Sequence, residues 1–321
     1  MQSKTRAPDM FTNCKIVKAG ANQVEYRAQN CKRGDAGYIV SRSDLTDIRR
    51  CPHKWRYADT TSDNGSKSTE WGNLIDALLL CNGDNIAVTP ETYESSDGKI
   101  KPWNWNANTC KAWRTENIGK IITNPSDKRL AEYAVSMIKN DSTIAPVLDK
   151  ASCQVWIAGE WRADGLAIPV RALVDIVPKH IPVLVDLKTT KSASLRDFAR
   201  SIYFYGYHVQ AAMYLDMWNA AVPDDKRTGF YHIVQENEYP YETAKRRLDN
   251  NWIQLGRAEY KKALEIYAQC LKSGNWPSYD EIDGQNLMVI DGWTSTSPEP
   301  WMILHAGIEI DDNENLPEWA Q

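Results

Sequence analysis

The chain has 321 residues, 42% of them hydrophobic and 25% charged, with a formal net charge of −4. These are the fractions of a globular protein, and the net charge argues against a chain that coats nucleic acid nonspecifically, while allowing a local basic groove. No run approaches the roughly 18–20 apolar residues of a membrane span, and the opening Met1-Gln2-Ser3-Lys4-Thr5-Arg6-Ala7-Pro8 lacks the apolar stretch of a secretory signal, so a cytoplasmic protein without a membrane partner is expected.

Residues 1–37 are polar and broken by Gly20-Ala21-Asn22 and Lys32-Arg33-Gly34-Asp35-Ala36-Gly37, which predicts an irregular or β-rich N-terminal arm. A helix opens at Ser41-Arg42-Ser43-Asp44. Ser41 or Ser43 can cap it, Leu45 and Ile48 have helical spacing, and Pro52 ends or redirects it. Residues 58–69 have the composition of a flexible loop. A second helix is expected over 70–80, burying Leu74, Ile75, Leu78 and Leu79, with Asp76 off the centre of that stripe. Turn formers and Trp103, Trp105 and Trp113 occupy 83–127, before a helix near 125–140.

Residues 154–162, which include Glu160, read as a strand. Two apolar runs follow, Arg171-Ala172-Leu173-Val174-Asp175-Ile176-Val177 and Val183-Leu184-Val185-Asp186-Leu187-Lys188, separated by a turn bounded by Pro178 and Pro182, which predicts a β-hairpin. Beyond it, 195–220 reads as one long helix stopped by Pro223, 229–235 as a strand, and 242–273 as a long helix ended by Gly274. The expected organisation is an arm over 1–37, a single α/β domain over 38–275, and an extended appendage over 276–321 with an acidic close at Asp311, Asp312 and Glu314.

The hairpin carries the chemistry. Asp186 and Lys188 are two apart on a strand, so their side chains share a face. Carboxylates within apolar strands are costly to bury unless paired or bound to a cation. Asp175 and Asp186 beside Lys188 therefore suit a Mg2+ or Mn2+ site with a polarising ammonium, the alternative being an Asp186–Lys188 ion pair on the exposed face of an edge hairpin. Gln210 and Tyr214 are four apart and share a helical face, while Ala211 and Ala212 let that helix approach a sheet; ordinary helix packing is the alternative. Arg49, Trp55 and Arg56 lie in a stretch where basic and aromatic residues alternate, which suits phosphate and base contacts, or else a solvated helix face followed by a core tryptophan. Thirteen Trp and 15 Tyr against four Phe are consistent with half-exposed rings as well as a core. Seven cysteines without a Cys-x-x-Cys pair support neither a zinc knuckle nor a disulfide framework.

Four stretches in this order carry a resemblance: Ser41-Arg42-Ser43-Asp44-Leu45 leading to Cys51-Pro52-His53-Lys54-Trp55-Arg56-Tyr57; Gly72-Asn73-Leu74-Ile75-Asp76; Asp175 with Asp186-Leu187-Lys188-Thr189-Thr190; and Tyr207-His208-Val209-Gln210-Ala211-Ala212-Met213-Tyr214. Over about residues 38–275 the chain resembles the PD-(D/E)xK nuclease superfamily, in particular RecE-type phage exonucleases and RecB-like nuclease domains. The resemblance implies an α/β restriction-endonuclease-like core, a central mixed sheet flanked by helices. It implies Asp175, Asp186, Lys188, Gln210 and Tyr214 as catalytic residues, with Ser41, Ser43, Arg49, Trp55 and Arg56 against DNA. Asp76, Asp175, Asp186 and the Leu187 carbonyl would hold Mg2+ or Mn2+; Asp76 stands where the family typically has histidine, and a hard cation accepts oxygen there. Glu160 is a further candidate as an outer ligand or water-positioning group, or else a surface carboxylate beside Arg162.

Iron–sulfur relatives need a C-terminal cysteine trio, and Cys270 stands alone, so no cluster is expected. The implied activity is a metal-dependent exonuclease that resects duplex DNA ends for recombination in a bacterial or phage-infected cell, with a single-strand annealing partner and a ring-forming homo-oligomer. The alternatives are an endonuclease or structure-specific nuclease on the same core, and a non-catalytic DNA-binding or assembly protein that keeps the fold.

Overall fold

The structure, a computed structural model, describes residues 10–21, 23–29, 31–58, 67–81, 83–163, 165–283, 289–290 and 293–294. The acidic close at Asp311, Asp312 and Glu314 lies outside these residues, as does most of the 58–69 loop.

The chain begins with β1 (Met10–Lys18) and α1 (Gln23–Arg27), then α2 (Arg42–Arg50), α3 (Pro52–Tyr57) and α4 (Lys67–Leu80). Ser41 caps α2 reciprocally: its side chain accepts from Asp44 N, and Asp44 Oδ2 accepts from Ser41 N at 2.8 Å. Pro52 restarts the helix, because its fixed φ suits a first helical turn and Cys51 Sγ accepts from Lys54 N. An insertion follows, with β2 (Ile86–Val88), the hairpin β3 (Thr92–Glu94) and β4 (Ile100–Pro102), α5 (Asn108–Glu116) and β5 (Ile121–Thr123), which pairs parallel with β2. Then come α6 (Pro125–Asn140) and α7 (Ala145–Leu148).

The centre is β6 (Ser152–Ala163), β7 (Leu166–Val177), β8 (Val183–Thr190), α8 (Leu195–Phe204), α9 (Tyr207–Ala221), β9 (Gly229–Glu236), β10 (Thr243–Arg247) and α10 (Asn250–Ser273), with α11 (Tyr279–Asp283) after it. The six-stranded sheet runs β1-β6-β7-β8-β9-β10; β8 and β9 are parallel and the other pairs antiparallel. Helices cover both faces. On one, α2, α9 and α10 bury Leu45, Ile48, Val209, Met213, Tyr260 and Leu264 against Val170, Val174, Leu184 and Phe230. On the other, α4 and α6 bury Ile75, Leu79, Ala134 and Ile138 against Ile176, Val185, Leu187 and Ile233. The parallel β8–β9 pair requires a crossover, which α8 and α9 supply.

Three expectations change. The boundary at 37/38 does not separate the arm from the sheet, since β1 is its edge strand and pairs with β6. The 195–220 helix is two helices, because Gly206 adopts φ +69°, a left-handed conformation that turns the chain between Phe204 and Tyr207. The helix expected from 242 starts at Asn250: Asp249 caps it, accepting from Trp252 N at 3.0 Å, and Thr243–Arg247 pairs with β9 instead. At the other end Gly274 closes α10 with φ +71°, in agreement with the sequence reading. The α9–α10 contact is close enough that a Cβ on Gly256 would sit 2.1 Å from His208 O.

Candidate active site

Strands β7 and β8 are paired at Ile176 and Val185. Beyond this point a carboxylate takes part in the bonding: Leu187 N donates to Asp175 Oδ2 at 3.1 Å. The strands and the covering helices leave a cleft of about 1350 Å3, lined among others by Asp76, Asp175, Asp186, Lys188, Gln210 and Tyr214. Alternation on β8 sends Val185 and Leu187 toward α4 and α6, and Asp186 and Lys188 toward α9.

Asp186 is almost wholly buried, its side chain 2% exposed. Lys188 Nζ contacts its Oδ2, and Gln210 Nε2 donates to its Oδ1 at 2.5 Å. Gln154 Nε2 donates to Asp175 Oδ1 at 3.2 Å. Lys188 Nζ also lies 4.8 Å from the centre of the Tyr207 ring. Arg42 joins α2 to this network, with Nη2 3.5 Å from Gln210 Oε1 and Nη1 donating to Tyr205 O at 2.9 Å. Buried His232 Nε2 is 3.8 Å from Asp186 Oδ2.

The electrostatics follow from three carboxyl groups sharing one cleft. Burial, then repulsion from Asp186 and Asp76, raises Asp175 well above the carboxylate range. Burial also pushes Asp76 up to about 7, against the pull of Lys188. For Asp186 burial is the largest single effect and acts upward, but the Lys188 ammonium, His232 and hydrogen bonds from Lys188 and Asp175 together outweigh it, and the carboxyl is held below its ordinary value. Burial pulls Lys188 down, yet Asp186 and Asp175 overcome it and hold the ammonium charged. Burial lowers His232 to about 4, so its imidazole is neutral.

This donor set fits a divalent cation in chemistry. The oxygens are hard, and two of three carboxyls cannot easily ionise beside the third without added positive charge. Among the described residues no three His, Cys, Asp or Glu side chains close to ligand distance in this arrangement; Asp186 and Asp175 are instead engaged by Lys188, Gln210, Gln154 and Leu187.

The structure thus brings Asp76, Asp175, Asp186, Leu187, Lys188, Gln210 and Tyr214 to one cleft, with Ser41, Ser43 and Arg56 on its walls. Gln210 meets the site through Asp186. Ser41 is engaged as the α2 cap, and its Oγ donates to Asp44 Oδ2 at 2.6 Å. Arg56 pairs with Asp35 at 3.6 Å and lies over Trp276.

Three candidates fall elsewhere. Trp55 is 2% exposed and donates from Nε1 to Asp44 Oδ1 at 2.9 Å, so it is a core anchor with no face for DNA. Arg49 pairs with Glu259, which also meets His208 Nε2 at 2.8 Å, so its charge is spent on the α2–α10 contact. Glu160 lies outside the cleft lining and bonds Asn13 Nδ2 and Arg162, the surface alternative. Sequence reasoning passed over Gln154 and His232 as site residues. Each is a polar residue directly before an apolar stretch of its strand, Val155-Trp156-Ile157 and Ile233-Val234, which was the available signal. Tyr207 and Arg42 stood inside quoted motifs without a role.

A family model described as "PDDEXK-like domain of unknown function (DUF3799)" matches residues 42–284. No curated protein matches. The fold is similar to the crystal structure named "Putative exonuclease" from Eubacterium rectale, at 14% identity over 90% of this chain and 99% of that chain, with a TM-score of 0.51. It is also similar, at 12% identity over 88% of this chain and 87% of the other, to Scheffersomyces stipitis Rai1 in complex with (3'-NADP)+ and calcium ion, where a TM-score of 0.29 is too low to bear on function.

Proposed function

Because this chain belongs to the family of PDDEXK-like domains, we propose that it is a Mg2+- or Mn2+-dependent deoxyribonuclease, an exonuclease that resects duplex DNA ends for recombination. The observation that carries the proposal is the meeting of Asp76, Asp175, Asp186 and Lys188 in one cleft.

Asp175, Asp186 and Asp76, with the Leu187 carbonyl, would hold the cation. A divalent ion bound there supplies charge for the phosphate and lowers the pKa of a bound water. Lys188 stays protonated, its pKa raised by Asp186 and Asp175. It therefore suits fixed positive charge for the pentacovalent phosphate or orientation of the attacking water; acting as a base would require the cation to offset the Asp186 and Asp175 charges that hold it protonated. Gln210 keeps Asp186 aimed into the cleft through its 2.5 Å bond. Tyr214, buried on the same helix, packs the wall behind it. Lys32, Arg33, Arg42 and Arg56 line the cleft, and cations so placed suit the phosphate backbone.

The test is purified protein with Mg2+ or Mn2+ on end-labelled linear duplex, beside closed circular DNA and Lys188→Ala. Loss of label from the linear substrate, an intact circle and an inactive variant are expected. Cleavage of the circle would replace the exonuclease by an endonuclease. Cleavage by Lys188→Ala at the wild-type rate would remove the mechanism. An annealing partner and a homo-oligomeric ring belong to the same proposal; sedimentation of the purified chain as a monomer would remove the ring.

A further inference from the structure

The α8–α9 junction exposes two aromatic rings, Phe204 and Tyr205, that neither the core nor the cation site uses. Phe204 is 61% exposed and Tyr205 52%. Their rings meet edge to face at 5.0 Å. Tyr205 in turn stacks on Tyr207 at 5.7 Å and 26°, and Tyr207 lies beneath the Lys188 ammonium. The row therefore leads from solvent to the proposed catalytic lysine.

The row is held in place. Arg50 Nη2 donates to Phe204 O at 2.6 Å, with its guanidinium 5.4 Å from the Phe204 ring centre. Arg42 Nη1 donates to Tyr205 O at 2.9 Å. Gly206, with φ +69°, makes the turn between the rings. Tyr205 and Tyr207 form one wall of a groove of about 950 Å3, faced by Ser68, Thr69 and Asn73 of α4 and reaching Asp76 and Lys188. The groove is narrow at Gly72, where an added Cβ would lie 2.9 Å from Thr189 Oγ1.

Exposed rings beside a phosphate-handling site find no partner in an intact duplex, whose bases are stacked on each other. An unpaired base offers a free π-face, and stacking on such a ring tolerates any sequence. We infer that Phe204 and Tyr205 form a base-stacking subsite, and that the strand reaching Lys188 does so as unpaired nucleotides, from a frayed end or a single strand. This rests on the nuclease reading for the identity of its ligand as DNA, but the binding it describes needs no cleavage.

The test is fluorescence anisotropy in EDTA with the full chain and three labelled probes: an oligothymidylate, the same oligonucleotide with abasic sites, and a blunt hairpin duplex. The wild type should bind oligothymidylate at least about fivefold more tightly than the abasic strand, from one stacked base. Phe204→Ala with Tyr205→Ala should remove that preference, a loss of about 5- to 150-fold. Tyr205→Trp should retain it. Equal wild-type affinity for base-bearing and abasic strands would overturn the inference, and that comparison needs no variant to fold. So would an unchanged preference in the double variant, or tighter binding of the hairpin than of the oligothymidylate. A protein that stacks bases yet spares DNA in Mg2+ and Mn2+ would overturn the nuclease reading and leave this one standing.

Discussion

Lys188→Met keeps an aliphatic stem near the Tyr207 ring and removes the ammonium from Asp186. The Asp186 side chain is 2% exposed, so its carboxylate would be left with neutral partners, the Gln210 amide and the Asp175 carboxyl. Removing one partner of a buried ion pair costs about 3–5 kcal/mol. At about 2–4 °C per kcal/mol in a large domain, the metal-free variant should melt roughly 6–20 °C below the wild type. The sign of the pH effect follows from the depressed Asp186 pKa. Its contribution is present above the unfolded value and is lost as pH falls through the folded one, so the gap between wild type and variant should narrow below about pH 4. Differential scanning calorimetry in EDTA across pH measures this, and cleavage of linear duplex in Mn2+ should fall about 10²–10³-fold. Equal melting near neutral pH would mean that the ion pair is not a buried one. Wild-type cleavage would remove Lys188 from the chemistry.

Asp76 and Asp175 carry the opposite sign. Their folded values are raised, Asp76 to about 7, so the metal-free protein should lose stability as pH climbs from about 4 toward 7. Asp76→Asn should flatten that loss, and Mn2+ should protect most above pH 7; a melting temperature independent of pH over this range, without metal, would contradict both. Gln210→Ala leaves Asp186 Oδ1 without its donor, and should lower stability by about 1–3 kcal/mol in denaturant titration and also slow cleavage; an unchanged midpoint and rate would show the bond to be idle. Glu160→Gln should change neither stability, within about 0.5 kcal/mol, nor cleavage, because Glu160 pairs with Arg162 outside the cleft. A clear loss of cleavage there would return Glu160 to the site.

What could be read from the sequence was local. The Ser41 cap depends on residues three apart, and the shared face of Asp186 and Lys188 depends on strand alternation. The family motifs placed Asp76 and Gln210 near the hairpin without saying what they touch. Across Tyr203-Phe204-Tyr205-Gly206-Tyr207 the aromatic run hid the break between α8 and α9, because a glycine inside an apolar period looks tolerated until its φ is known. Charged Thr243–Arg247 read as helix because edge strands tolerate charge, and its pairing with β9 is a tertiary fact. Trp55 illustrates the same limit. A tryptophan among arginines suits DNA or a core equally, and the Asp44 carboxylate that claims its Nε1 is 11 residues away.

The central claim is that Asp76, Asp175, Asp186 and the Leu187 carbonyl make a cation site. Titration of the protein with Mn2+, followed by loss of the free-ion electron paramagnetic resonance signal, tests it most directly. The expected result is saturable binding by the wild type that weakens sharply in Asp175→Asn and in Asp186→Asn while both variants stay folded. A folded wild type that leaves the free Mn2+ signal untouched, or variants that bind as it does, would contradict it.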